Sequence, residues 1–205
     1  MNIVAEVNIV VLAKAPRPGY VKTRLCPPCT PEEAAMLAAA ALTDTLDAVL
    51  ATPAGRHVLV LDGAMPSPAG FEVLPQRGSG LAQRLAHAFA DVGGPALLIG
   101  MDTPQVTPAL LTAAVDLMAG ADAVLGLASD GGWWAIGLTR PDAHVFLGVP
   151  MSTDETGARQ AERLQARGLT CVELPVLTDV DDITSARAVA GLAPSSRFAA
   201  AMSAL

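Results

Sequence analysis

The chain has 205 residues and a formal net charge of -7, with a pI near 4.8. This acidic balance argues against a large nucleic-acid interface, which needs a basic face. Although 52% of the residues are hydrophobic and the mean hydropathy is +0.44, no apolar run reaches the roughly 18 residues that span a bilayer. We predict one domain over residues 1–192 and a C-terminal tail over 193–205, and the absence of a basic leader in the first residues favours a cytoplasmic location.

The first predicted element is a buried strand over residues 7–13, which leads into a loop punctuated by proline and glycine. Four basic side chains lie close together in this loop of an acidic protein: Lys14, Arg17, Lys22 and Arg24. They indicate an anion such as phosphate, and Gly19 allows the backbone to approach it. The alternative is a solvated basic loop that balances an acidic surface.

Two common phosphate-binding motifs are excluded in this loop. A Walker loop needs glycine directly before its lysine, but Val21 precedes Lys22. The dinucleotide fingerprint needs spaced glycines after the first strand, and residues 15–18 contain none. The sequence therefore predicts neither a P-loop nor a Rossmann cofactor site.

The spacing of the cysteines gives little indication of a redox or a zinc-binding role. Cys26 and Cys29 have the spacing of a redox pair, but proline fills both positions between them. The histidines show no spacing that would complete a zinc site with these cysteines. We interpret them as small residues in a loop, with a redox pair as the alternative.

A helix is predicted next, over residues 34–51, because Thr30 and Glu33 form a capping box with proline at the first helical position. Strands follow at 56–62 and 71–74. Gly78 and Gly80 then precede another amphipathic helix, whose N-terminus can receive an anion or a sugar hydroxyl. An ordinary loop and helix would have the same pattern.

An apolar strand over residues 96–100 ends just before Asp102. Carboxylates in this position lie where open α/β sheets bind ligands, so we identify Asp102 as a candidate site residue. The alternative is a turn or capping residue. Thr107 caps a further helix soon afterwards.

The next strand, predicted over residues 121–127, is followed by Asp130, Gly131 and Gly132 and then by two tryptophans. An Asp-Gly-Gly turn between apolar runs predicts a hairpin, in which Asp130 is only the turn former. However, one of two consecutive strand residues faces away from the core. We therefore expect one tryptophan, beside this acidic turn, to form a wall for a base or a sugar ring.

The C-terminal part contains a predicted polar helix over 154–167 and a last strand over 169–174. Asp179, Asp181 and Asp182 then precede a helix that runs through residue 190. Acids in this position usually cap a helix. In an extended segment, however, Asp179 and Asp181 face the same side and could share a cation.

The alternation of strands and helices predicts a three-layer α/β/α domain with a mostly parallel sheet. Lys14, Asp102, Asp130 and Asp179 all follow the carboxyl ends of predicted strands, so we expect them to converge. Converging acids repel one another unless a positive charge lies among them. A nucleotide whose phosphates are bridged by Mg²⁺ would explain both the basic and the acidic side chains.

Four motifs, at residues 13–25, 76–84, 99–104 and 130–138, resemble those of a bacterial family of unknown function, DUF2064. That family is assigned to the nucleotide-diphospho-sugar transferase, or GT-A, fold, and its members are often described as glycosyltransferases. A related branch consists of guanylyltransferases that act on 2-phospholactate or phosphoenolpyruvate. In that branch, acids of an Asp-Val-Asp element hold Mg²⁺.

The resemblance implies roles for particular residues. It makes Lys22, Arg24 and Asp102 catalytic, and it implies a cofactor, Mg²⁺ or Mn²⁺, held by Asp102, Asp179 and Asp181. The nucleotide and substrate site would comprise Ala13, Lys14, Gly19, Lys22, Arg24, Gln76, Gly78, Gly80, Leu81, Asp130, Gly131, Gly132 and Trp133.

The leading hypothesis is therefore a glycosyltransferase that uses a nucleotide-diphospho-sugar donor. The expected partners are this donor and a small-molecule acceptor, without nucleic acid or membrane, and a homodimer is compatible with them. The alternatives are a nucleotidyltransferase that releases pyrophosphate and a nucleotide-binding protein without catalysis.

Overall fold

A computed structural model describes residues 7–205; residues 1–6, on which the expectation about a leader depends, lie outside the described part. A seven-stranded sheet forms its centre, with the strand order β3-β2-β1-β4-β6-β5-β7. The strands are β1 (Asn8–Lys14), β2 (His57–Asp62), β3 (Glu72–Pro75), β4 (Ala96–Gly100), β5 (Ala123–Ala128), β6 (Trp133–Leu138) and β7 (Cys171–Leu177). The helices are α1 (Pro31–Leu50), α2 (Leu81–Val92), α3 (Pro108–Leu117), α4 (Thr156–Ala166), α5 (Ile183–Leu192) and α6 (Arg197–Ser203).

The sheet is mostly parallel, as predicted. Strand β6 pairs antiparallel with β4 and β5, and the other pairings among the described strands are parallel. The hairpin expected around the Asp-Gly-Gly turn is thus confirmed as β5 and β6. Because six strands run in one direction, their carboxyl ends meet at one edge of the sheet, where open α/β sheets bind ligands.

Helices cover both faces of the sheet, which confirms the three-layer α/β/α prediction. On one face, apolar side chains of α1 and α3, such as Leu42 and Leu111, pack against Val11 and Ile99. On the other face, α2 contributes the buried Phe89, whose ring stacks on that of Phe146. The alternation of β1 side chains between the two faces explains why the strand is apolar almost throughout.

The capping predictions are confirmed for α1 and α3. The Thr30 side chain accepts a hydrogen bond from the Glu33 backbone N–H, and the Glu33 carboxylate accepts one from the Thr30 N–H. The Thr107 hydroxyl accepts one from the Leu110 N–H at the start of α3. These bonds satisfy backbone donors that a helix start leaves free.

The C-terminal segment corrects the expectation of a tail, because α6 lies within residues 193–205 and packs on α1. Phe198 is fully buried, and Asp44 accepts hydrogen bonds from the Arg197 and Phe198 backbone N–H groups. The composition of this segment, rich in alanine and serine, hid the buried phenylalanine that anchors it.

A third apolar cluster joins α1, α5 and α6, and it includes Cys29. All three cysteine thiols are free, and Cys29 is buried there as a small apolar residue. Within residues 7–205, no helix is both long and apolar enough to cross a membrane. The cytoplasmic location stays a prediction.

Candidate functional site

A cleft of about 800 Å³ lies at the carboxyl edge of the sheet. The loop after β1, the segment from the end of β3 into α2, and segments that follow β4, β5, β6 and β7 line it. Most of the predicted site residues line this cleft: Ala13, Lys14, Lys22, Arg24, Gln76, Gly80, Leu81, Asp102, Asp130, Gly132, Trp133, Asp179 and Asp181. The structure therefore brings together basic and acidic side chains that are far apart in sequence.

Lys22 is the most constrained of these side chains. Its ammonium contacts Asp102 Oδ1 at 2.7 Å and donates a hydrogen bond to the Val180 carbonyl, and its side chain is only 8% exposed. The backbone at Lys22 is left-handed, with φ of 50°, which is uncommon for a residue other than glycine. Lys22 thus links the basic loop to the segments that follow β4 and β7.

The segments after β4 and β7 are also joined directly. The Val180 N–H donates to the Asp102 carbonyl at 2.8 Å, and the Gln105 side-chain amide donates to the Thr178 carbonyl at 2.5 Å. These bonds fix the backbone on either side of Asp179. The carboxylates that follow the two strands are consequently held in one wall of the cleft.

The three acids that precede α5 have separate environments. Asp182 is the N-cap: its carboxylate accepts a hydrogen bond from the Ser185 N–H at 2.8 Å. Asp181 instead forms an ion pair with Arg24, at 2.5 Å, and both side chains face the cleft. The capping interpretation therefore holds for Asp182, whereas Asp179 and Asp181 line the cavity.

Asp62, at the end of β2, holds together two side chains that line the cleft. Arg84 contacts its carboxylate at 2.7 Å, and the Tyr20 hydroxyl donates to it at 2.9 Å. Burial opposes ionisation of Asp62, but these hydrogen bonds and the charges of Arg84 and Lys14 outweigh it and lower the pKa of Asp62. The Gln76 amide donates to the Ala13 carbonyl at 2.7 Å, which joins the ends of β3 and β1.

The two consecutive tryptophans face different environments, as predicted. Trp134 is buried, and its indole N–H donates to the Pro175 carbonyl at 3.0 Å. Trp133 is only partly buried and lines the cleft. Asp130 accepts a hydrogen bond from the Gly132 N–H at 2.8 Å, so it forms the hairpin turn while also facing the cavity.

Three predicted glycines do not line the cleft: Gly19, Gly78 and Gly131. Each has a positive φ, and so each shapes the backbone next to the cleft. At Gly131, an added Cβ would meet the Asp154 carbonyl oxygen at 1.9 Å. We predicted that these glycines contact a ligand. The structure instead shows a positive φ at each of them and a close backbone approach at Gly131.

Sequence reasoning missed one wall of the cleft altogether. It consists of Met151, Ser152, Thr153, Asp154 and Thr156, just before α4 and at its start. The segment packs on the hairpin turn, where the Gly157 N–H donates to the Gly131 carbonyl at 2.8 Å. Because this wall follows an antiparallel strand, the rule that ligands lie after parallel strands does not identify it. Its only sequence signal is a run of polar residues after Pro150.

The donor chemistry at the cleft fits a hard divalent cation, because such ions take carboxylate and carbonyl oxygens. Asp102, Asp179 and Asp181 all face the cavity. In the present arrangement, residues 7–205 contain no cluster of three His, Cys, Asp or Glu side chains at metal-binding spacing. Asp102 and Asp181 are each paired with a cation from the basic loop. The metal site therefore stays a prediction that requires these pairs to open.

Asp179 shows that the acids influence one another. Burial raises the pKa of its carboxyl to about 6, and the negative charges of Asp130, Asp181 and Asp102 add to the rise. A carboxylate with a raised pKa destabilises the folded state when it ionises. Burial and the neighbouring acids therefore favour the protonated form of Asp179.

Replacing Asp179 with asparagine is expected to stabilise the protein at pH 7.5 in a buffer with chelator. The folded pKa lies above the unfolded value, so the wild type loses stability as the pH rises from about 4 to about 6. After a discount for partial exposure, we expect a gain of about 1–2 kcal/mol at pH 7.5 and almost none at pH 4. Thermal unfolding at both pH values measures this, and a lower melting temperature for the variant at pH 7.5 would contradict it.

Comparison with solved structures identifies the same fold. A Desulfovibrio desulfuricans G20 protein assigned to the nucleotide-diphospho-sugar transferases is 24% identical, with a TM-score of 0.86, over 97% of this chain and 94% of that one. Rv0371c of Mycobacterium tuberculosis H37Rv, in complex with manganese, is 23% identical, with a TM-score of 0.58, over 89% and 96% of the two chains.

A third structure, of CMP:2-keto-3-deoxy-manno-octonic acid synthetase in complex with CTP, is 13% identical, with a TM-score of 0.55, over 92% of this chain and 98% of that one. At these identities the likeness establishes the fold, which is of the nucleotide-diphospho-sugar transferase type, as the motifs implied.

No curated protein matches the chain. A family model, described as an uncharacterized protein conserved in bacteria (DUF2064), matches residues 36–153, which is more than half of the chain. The family resemblance found in the sequence is thereby confirmed: the chain belongs to the DUF2064 family.

Proposed function

We propose that the protein is a nucleotide-dependent transferase whose active site is the cleft at the carboxyl edge of the sheet. The observation that carries this proposal is the convergence of Lys14, Lys22 and Arg24 with Asp102 and Asp181 in one cavity. A nucleotide with a bridging metal ion has both kinds of charge, so it complements both sets of side chains.

The phosphates would lie along the basic loop and the start of α2. Arg24 is 68% exposed at its side chain, so it can reach a ligand in the cleft. Gly80, the N-cap of α2, provides no side-chain cap, which leaves backbone N–H groups of the first turn free to bind an anion. Because charge builds up on the departing phosphate during transfer, fixed cations at this position lower the barrier.

Asp102, Asp179 and Asp181 would hold the divalent ion, Mg²⁺ or Mn²⁺. When bound, this ion neutralises charge on the leaving phosphates. Rv0371c, a protein of this fold, forms a complex with manganese, which supports a divalent ion here. The chain's own residues supply the rest: Gln76 and Arg84 keep the loop ends in place through hydrogen bonds to Ala13, to Asp62 and to each other.

The transferred group is most consistent with a sugar. Trp133 is partly exposed and lines the cleft together with Asp130 and the basic loop. Aromatic faces combined with nearby polar groups suit a sugar ring, which has both apolar faces and hydroxyls. We therefore propose a glycosyltransferase that uses a nucleotide-diphospho-sugar donor.

A nucleotidyltransferase is the second candidate. The segment with Asp179 and Asp181 is joined to the Asp102 loop by one backbone hydrogen bond and one from the Gln105 side chain, so the acids lie in one wall of the cleft. Such a wall suits the metal-bound triphosphate of a nucleotidyl donor. The fold shared with a synthetase that binds CTP also favours this candidate.

A donor panel tests the proposal. The purified protein is incubated with Mg²⁺ or Mn²⁺, nucleotide-diphospho-sugars and hydroxylated acceptors, and release of nucleoside diphosphate is measured. Parallel reactions contain nucleoside triphosphates and phosphorylated acceptors, and pyrophosphate is measured. We expect nucleoside diphosphate release; pyrophosphate release would select the second candidate. If neither product forms and no nucleotide raises the melting temperature in the presence of metal, the proposal is wrong.

A further inference from the structure

The sequence contains two lysines, Lys14 and Lys22, and both line the cleft. They differ in their surroundings. Lys14 is exposed, and its ammonium lies 5.6 Å from the centre of the Tyr20 ring. Lys22 is almost fully buried and directed at Asp102. Replacing each lysine in turn therefore separates the effect of the contact between Lys22 and Asp102 from the effect of removing one positive charge from the cleft.

The partners of the Lys22 ammonium are oxygen atoms of the kinds that bind divalent cations. One is the Asp102 carboxylate and the other is the Val180 carbonyl, between Asp179 and Asp181. A hard metal ion would seek these same donors. In this structure, the Lys22 ammonium provides the positive charge beside Asp102.

We propose that Lys22 is a built-in cation that competes with a divalent metal ion for the Asp102 carboxylate. Metal binding would require the ammonium to leave Asp102, and the flexible four-carbon side chain would then be free to contact ligand phosphate. This inference rests on the metal site within the proposed function, but not on the identity of the transferred group.

The left-handed backbone at Lys22 indicates that contacts of the side chain hold this residue in place. A left-handed backbone at a residue with a Cβ costs free energy, which the surrounding contacts must offset. The ion pair and the hydrogen bond to Val180 are the contacts that Lys22 makes across the cleft. Release of the ammonium would remove both contacts, so displacement by a metal ion is coupled to the loop conformation.

The test is a titration with Mn²⁺ followed by electron paramagnetic resonance, without nucleotide and at constant ionic strength. It compares the wild type with Lys22→Met and the matched control Lys14→Met, which removes the same charge from the same cleft. We expect Lys22→Met to bind Mn²⁺ about tenfold more tightly than the wild type, because a charge-assisted contact no longer competes. Lys14→Met should differ from the wild type by less than about threefold.

Unchanged or weaker Mn²⁺ binding by Lys22→Met would overturn the proposal that Lys22 competes with the metal ion, as would an equal gain in both variants.

Because Lys22→Met could fail to fold, a second measurement uses the wild type. Amine-reactive labelling, read by mass spectrometry, should increase at Lys22 when Mn²⁺ is added and stay constant at Lys14. Labelling of Lys22 that does not change at saturating Mn²⁺ would also overturn it. Neither Mn²⁺ binding nor lysine labelling depends on catalytic turnover. The competition can therefore be tested even if the donor panel yields no product.

Discussion

Asp102→Asn is expected to lower the rate of nucleotide-dependent transfer by about 100-fold or more. Asparagine keeps the shape of the side chain and retains an oxygen that can accept a hydrogen bond from Lys22. The substitution removes the negative charge that the proposed metal site needs for a divalent ion and that balances the charge of Lys22. The loss should therefore appear in the rate. Because the nearly buried Lys22 ammonium also loses its counter-charge, we expect a lower melting temperature, and the rate is measured at a temperature where the variant is folded.

The measurement is product release by the wild type and the variant with the donor that the panel identifies. Asp116→Asn, on the exposed surface of α3, is the matched control and should keep wild-type activity. An Asp102→Asn protein that is folded and retains more than about half of the wild-type rate would exclude Asp102 from the reaction.

Gly131→Ala is expected to cause the largest loss of stability among single methyl additions near the cleft. The new Cβ would lie 1.9 Å from the Asp154 carbonyl oxygen, and φ at this position is +89°. The contact joins two backbone segments, so a side-chain rotation cannot relieve it. We expect a loss of about 3 kcal/mol or more in the free energy of unfolding.

Denaturant unfolding measures this loss, with Gly191→Ala as the control. Gly191 lies in α5 and has open space around its Cβ position, so alanine there should be neutral or slightly stabilising. A Gly131→Ala midpoint equal to that of the wild type would mean that the hairpin turn and the 151–156 wall do not pack as described.

Local sequence chemistry was sufficient to predict most of the elements. The reciprocal hydrogen bonds of Thr30 and Glu33 depend only on residues three apart, so the start of α1 could be predicted correctly. The turn at Asp130 likewise identified the hairpin, because its hydrogen bond to the Gly132 N–H is local. These predictions succeeded because the deciding contacts lie within a few residues.

Other features depended on distant contacts, which the sequence does not display. Strand β7 was predicted to end at residue 174 but continues to Leu177, because it pairs with β5 along a register that includes an irregularity. Helix α6 forms because Phe198 is buried against distant helices. Gly131 was considered a ligand-binding position, whereas the close approach of Asp154 explains the glycine.

The candidate site was predictable in its location but not in its pairings. The rule that ligands lie at the carboxyl ends of parallel strands brought Lys14, Asp102 and Asp179 together correctly. The ion pairs of Lys22 with Asp102 and of Arg24 with Asp181 depend on the left-handed turn at Lys22 and on side-chain geometry. Their functional roles, like those of the other site residues, stay predictions.

In the proposed function, the basic loop and the acids of the cleft bind one nucleotide and one divalent ion together. Crystals grown with Mn²⁺ and a nucleoside diphosphate, measured at a wavelength where manganese scatters anomalously, test it directly. We expect an anomalous peak about 2.1 Å from an Asp102 carboxylate oxygen, with phosphates against Lys14 and Arg24. A nucleotide bound with its phosphates away from the basic loop, or a manganese ion that avoids Asp102, Asp179 and Asp181, would contradict it.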